Sequence, residues 1–150
     1  MNQGKSTTSS RKKSQQFTAD EKAAMRARAK ELKAEAGKAA EEKAALEAIA
    51  KMKEPDRSMA KRLHAIIKAS GLSAKTWYGM PAYANEEGSV ICYFRDRLKF
   101  KERYAMFGFN DSAKLDDGAM WPVAYALPEL TPAEEAKIAA LVKKAVRENA

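Results

Sequence analysis

The stretch LDDGAMWP, residues 115–122, sets two adjacent carboxylates before a glycine and a methionine–tryptophan–proline run. Carboxylate oxygens bind hard cations, which makes Asp116 and Asp117 candidate metal ligands. Such ions take roughly six to eight oxygens, and no second acidic cluster nearby supplies them. The other reading is a turn: Gly118 allows the bend, an Asp carboxylate accepts turn amides, and Met120 and Trp121 pack inward. WYGMPAYA, residues 77–84, offers a different chemistry. Gly79 and Pro81 bend the chain, and Trp77, Tyr78, Met80 and Tyr83 either line a ligand pocket or fill the core. Together with Asp116, Asp117 and Met120 they form the expected ligand-binding set. A third feature, SSRKKS, places Arg11, Lys12 and Lys13 side by side. Three adjacent cations suit weak, non-specific contact with nucleic acid, or simply a solubilising tail.

Catalytic templates are scarce. The chain has no glycine-rich phosphate loop, no nucleophile elbow and no HExxH pair. Its one histidine, His64, sits on a helix bearing Lys61, Arg62 and Lys68 and reads as a boundary residue. Its one cysteine, Cys92, lies in the apolar run VICYF and reads as a small buried hydrophobe in a reducing compartment. We therefore expect a binding protein with no enzyme activity, taking a small molecule or a protein partner, with no cofactor required by the residues themselves. No apolar run approaches the roughly 18 residues of a membrane span. The N-terminus lacks the apolar segment of a secretory signal, and the cytoplasm is the expected location.

The 150 residues are 45% hydrophobic and carry a formal charge of +8, enough for one domain with appendages. The charge is concentrated at the front: Met1–Lys53 holds 13 Lys and Arg against 7 Asp and Glu, and the remainder 15 against 13. Aromatic residues divide the other way, since all but Phe17 lie between Trp77 and Tyr125. Residues 1–16 have no apolar residue after Met1 and are expected to form a disordered basic arm. Residues 17–53 are expected to form an alanine-rich helical extension, a solvated helix leaning on the domain, with Met25, Ala29, Leu32 and Ala36 on one face and Leu46, Ile49 and Met52 in another short stripe. Thr18 and Glu21 make its capping box, and Gly37, at about 1 kcal/mol against the helix, is the expected break.

Residues 54–150 are expected to be the compact α+β domain. Pro55 suits a first helical turn, Asp56 the positive end of the dipole, and Met59, Leu63, Ile66 and Ile67 a buried stripe. From Lys75 to Leu127 the pattern becomes short strands. NEEG and Asp96–Arg97 mark turns, SVICYFR is strongly β-prone, LKFKERYAMFGF alternates through Phe100, Tyr104 and Met106, and MWPVAYAL returns as a last strand. Thr131, Pro132 and Glu134 then open a helix whose buried stripe is Ile138, Leu141, Val142 and Ala145. An antiparallel meander with helices before and after it, both on one face, buries all three apolar surfaces.

WYGMPAYANEEGSVICYF and LKFKERYAMFGFNDSAKLDDGAMWPVAYALPEL, within a likeness running from Phe17 to the C-terminus, resemble the bacterial YdhG-like family. This is largely a domain family of unknown function, one branch of which is described as frataxin-like intracellular iron chaperones. The resemblance implies a helix–sheet–helix fold and, for that branch, iron handling. A frataxin-like iron surface implies clustered carboxylates on the first domain helix and the adjoining strand edge. This chain has Lys61, Arg62 and Lys68 on that helix.

Overall fold

The computed structural model describes residues 17–147. Arg11, Lys12 and Lys13, and the arm expected over residues 1–16, lie outside the described residues. The fold is α+β: a five-stranded antiparallel sheet with a long helix before it and a helix after it. The elements are α1 (Ala19–Ala50), α2 (Asp56–Lys68), β1 (Ser73–Trp77), β2 (Met80–Ala84), β3 (Val90–Arg95), β4 (Ala105–Phe109), β5 (Ala124–Leu127) and α3 (Pro132–Ala145). The strands lie side by side in chain order, so β1 and β5 are the two edges. Among the described residues no helix is long and apolar enough to cross a membrane.

The chain divides into two units after Gly37. In the first, the Glu21 amide donates to Thr18 Oγ1 at 3.1 Å, which is one of the two bonds of the expected capping box. Met25 and Leu32 are exposed. The expected break at Gly37 does not occur: α1 is continuous through it. One glycine's cost is local, and the Ala, Glu, Lys and Leu around it are the strongest helix formers.

The second unit starts earlier than the sequence suggests. Ala45, Ile49 and Met52 are buried in the core, so the compact part begins at Lys38 and not at Glu54. Glu54 then caps α2, since its carboxylate accepts from the Ser58 amide at 3.0 Å and the Ser58 hydroxyl at 2.9 Å. Those two bonds hold its pKa below the ordinary carboxylate value. Pro55 is the residue before the helix, one place earlier than expected. Met59, Leu63 and Ile67 are buried as the spacing predicts, with Ile66 at the boundary. At α3, Thr131 and Pro132 take the expected cap positions, and the Thr131 hydroxyl donates to the Glu134 carboxylate at 2.6 Å.

Strand alternation sorts the side chains into two layers. Ala74, Tyr83, Cys92 and Phe109 form one cross-strand row, with Phe94 and Phe107 beside them, and all six are buried in one core with the helices. Burying rings such as Phe94 and Phe107 contributes about 1.5–3 kcal/mol each.

Two strands are shorter than their hydrophobic pattern. Phe100 and Tyr104 lie in the turn between β3 and β4, because the Asp96 carboxylate accepts the Lys99 amide at 3.2 Å and Glu102 N donates to Arg97 O at 2.8 Å. Only Ala124–Leu127 of MWPVAYAL is strand, and Met120, expected inside, is 89% exposed.

Candidate functional site

The two most distinctive stretches of the sequence do not share a rim. In an antiparallel meander successive turns alternate between the two ends of the sheet. The β1–β2 turn, Trp77–Met80, therefore sits at one end beside the β1 edge. The β4–β5 connection, which contains Asp116, Asp117 and Met120, sits at the other end beside the β5 edge. Trp77, Tyr78 and Met80 are brought together; Asp116, Asp117 and Met120 are placed diagonally across the sheet from them.

What gathers around Trp77 is the sheet face opposite the helices. Register carries one row across all five strands: Lys75, Ala82, Tyr93, Gly108 and Ala124. In the row beside it, Trp77 pairs with Met80, and Arg95 with Met106 and then Ala126. Small residues on either side of Tyr93 leave room for its ring to lie down. Its hydroxyl end covers Gly108 so closely that a Cβ there would clash with Tyr93 Cζ and the hydroxyl oxygen. Trp77 stands 5.3 Å from Tyr93, centroid to centroid, at 47°. Both residues are half-buried. At the lower margin Arg95 stacks over Phe100 at 4.7 Å while its Nε lies 2.6 Å from the Glu102 carboxylate. Tyr93, Arg95 and Gly108 were not singled out by the sequence; for Tyr93 and Arg95 the signal was the alternation of SVICYFR, which puts them on the face away from Cys92 and Phe94, while Gly108 joins them only through strand register.

The β1–β2 turn is unusual. Tyr78 and Gly79 both have positive φ, 51° and 75°, the geometry of a two-residue type I′ hairpin in which Asn-Gly is preferred. A bulky aromatic at the first position is strained. Tyr78 is nonetheless 78% exposed, and its ring meets the edge of Trp77 at 4.8 Å. Core packing therefore does not account for it. Beside the turn, the Lys99 amine donates to Gly79 O at 2.9 Å and lies over the Phe100 ring at 5.6 Å.

Beside this hairpin, between it and the end of α1, is a cleft of about 470 Å³ whose charged lining is Lys51, Lys53 and Lys99 with the carboxylates Glu47 and Asp96. None of the three lysines forms an ion pair with a carboxylate among the described residues.

The remaining candidates resolve differently. Tyr83, expected to touch ligand, is 1% exposed: it alternates inward on β2 with Pro81. Its hydroxyl pairs with His64 Nδ1 at 3.0 Å, and His64 Nε2 faces the Glu42 carboxylate at 3.3 Å. Burial, with smaller contributions from Cys92 and Glu42, pushes the Tyr83 phenol well above its ordinary value, and burial raises the Cys92 thiol likewise. Both groups are neutral, which fits packing better than chemistry. Gly118, at φ 66°, makes the expected turn. Asp116 and Asp117 are exposed, and neither accepts a hydrogen bond from a described residue, so the expected turn amides are not their partners. Asp116 lines a separate cleft of about 370 Å³ with Trp121 and Asp111. No grouping of three His, Cys, Asp or Glu suited to a metal occurs among the described residues. On α2, the acidic residue Asp56 is held by Arg97. Comparison with protein-family models, curated proteins and solved structures finds no match to this chain.

Proposed function

We propose that this chain is a binding domain without catalytic activity, and that it takes a ligand bearing a flat ring on the open sheet face. The observation that carries the reading is the Tyr93 ring laid over Gly108 beside Trp77, on the side of the sheet the helices leave free. A ring already held flat loses little freedom when another stacks on it, and aromatic pairs contribute about 0.5–1.5 kcal/mol beyond their buried area. Strain at an exposed Tyr78 supports the same end of the sheet, because unfavourable backbone conformations persist where a function retains them. The proposed site keeps the Trp77–Met80 stretch of the YdhG-like resemblance and leaves out Asp116–Met120.

Fluorescence titration tests the reading. In a Trp121→Phe protein the only indole is Trp77, so stacking is read directly. A saturable change in its emission is expected with one class among nucleosides, nucleotides and methyl glycosides, and Tyr93→Ala should abolish it. An emission spectrum indifferent to every class would remove the open face as a ring-binding site.

A further inference from the structure

We infer that the ligand is a single-stranded nucleic acid, its bases stacked on Trp77 and Tyr93 and its phosphates drawn into the lysine cleft beside the Tyr78 hairpin. This rests on the reading of the open face given above and adds the chemistry of the partner. The cleft and the aromatic face are not two isolated features. Gly79 belongs to the hairpin that carries Trp77 and Tyr78, and it also lines the cleft. Lys99 joins them, its amine on Gly79 O and over the Phe100 ring that Arg95 also covers. Tyr78, at the tip of the same hairpin, is 78% exposed and packs against Trp77.

Ligand chemistry follows from the residue types. Lys51, Lys53 and Lys99 outnumber the two carboxylates of the cleft, Glu47 and Asp96, and none of the three lysines is within ion-pair distance of an acidic group among the described residues. Lysine binds phosphate as a point charge, without the planar fork that arginine uses for carboxylates. Every base offers a π-face, so a pair of half-exposed rings binds successive bases with little regard to sequence. A cationic groove combined with stacking rings is the general solution for single strands. A neutral sugar would leave the lysines unused, and an acidic peptide would leave the flat rings unused. Duplex DNA would present no base face to Tyr93.

The test uses the full chain with Trp121→Phe and a short fluorescently labelled oligothymidylate, followed by anisotropy and by Trp77 emission. Because the basic N-terminal residues also attract phosphate, the reference protein additionally carries Arg11→Gln, Lys12→Gln and Lys13→Gln. Saturable binding that changes Trp77 emission is expected, with affinity falling as salt rises. Each phosphate neutralised on a single strand contributes about 0.7 to the log–log salt slope, so Lys51→Gln with Lys53→Gln should flatten it by about 1.4. Tyr93→Ala should weaken binding and leave the slope in place. Oligothymidylate binding with an unchanged slope in the lysine double variant overturns the cleft as its phosphate site. Tighter binding of polyglutamate than of oligothymidylate overturns the nucleic-acid assignment in favour of an acidic protein partner. If a nucleoside or glycoside alters Trp77 emission while oligothymidylate does not bind, this inference fails and the ring-binding face stands. If no ligand alters it, both fail.

Discussion

Asp56 and Arg97, 41 residues apart, are joined through both carboxylate oxygens: Oδ2 accepts the Arg97 amide at 2.8 Å, and Oδ1 accepts Nε at 3.0 Å and lies 2.9 Å from Nη2. The same guanidinium donates to Pro128 O at 2.9 Å. One ion pair thus ties the start of α2 to the β3–β4 turn and to the chain leaving β5. Asp56 is almost wholly buried, so removing its partner leaves a charge without compensation. Arg97→Ala and Asp56→Ala should each cost about 3–5 kcal/mol in urea unfolding. The double variant should cost much less than their sum. Additive losses would show that the two side chains act independently.

Gly108 should not tolerate a side chain while Tyr93 lies across it. Gly108→Ala forces the ring up or the strand aside, an overpacking cost of about 1–3 kcal/mol. In a Tyr93→Ala background the same change should be nearly neutral, since the obstructing ring is gone. Equal losses in both backgrounds would place the strain in the β4 backbone instead.

Much of this architecture is readable in the residues, and the parts that are not share a cause. NEEG announces the β2–β3 turn, and the Asn85 amide and side chain do close it on Ser89. Thr131-Pro132 announces α3 because capping is local chemistry. Asp56 with Arg97, and Tyr93 with Gly108, depend on which strands become neighbours and in what register, which no short window contains. Phe100 and Tyr104 keep a strand-like alternation, yet the Asp96 carboxylate and a positive φ at Lys101 turn the chain there. Tyr83 and Tyr93 look alike as tyrosines between apolar residues. Alternation within β3 sets Tyr93 on the face opposite Cys92, and pairing with Cys92 is what puts Tyr83 on the inner face. The separation of WYGM from LDDG follows from counting strands: three strands lie between β1 and β5, and each turn reverses the end.

Truncation should follow the structural boundary. Residues 38–150 should unfold cooperatively with the denaturant midpoint of the full chain. A chain starting at Glu54 lacks Ala45, Ile49 and Met52, all buried. Losing the side chain of one such Ile commonly costs about 2–5 kcal/mol, against a whole-domain stability of about 5–15. That shorter chain should lose its cooperative transition in circular dichroism. A sharp transition starting from Glu54 would show that the second half of α1 is dispensable.

High pH should weaken the fold through Tyr83 and Cys92. Burial raises both groups above their ordinary values of 10.0 and 9.0. The folded state therefore holds their protons after the unfolded state has released them. Stability from this source is complete below about pH 9 and falls as pH rises beyond it. Melting temperatures measured from pH 8 to 11 should decline, and more gently in a Cys92→Ala, Tyr83→Phe protein. Parallel declines in both proteins would assign the effect to other groups.

Tyr78 offers the sharpest separation of stability from binding. Its φ of 51° is one that L-residues with bulky side chains avoid, while Asn and Gly adopt it readily, and the turn with Gly79 is the type in which Asn-Gly is preferred. The ring gains little in return from the fold, being 78% exposed and touching Trp77 only at its edge. Tyr78→Asn should therefore stabilise the domain, by about 1 kcal/mol if the backbone strain is at the lower end of its usual range. The same change removes an aromatic surface from the hairpin tip, beside the face where ring ligands are proposed to stack. Its ligand affinity should fall while its melting temperature rises. A substitution that raises stability and leaves ligand affinity untouched would confine the site to Trp77 and Tyr93. One that lowers stability would show that the Tyr78–Trp77 contact outweighs the strain.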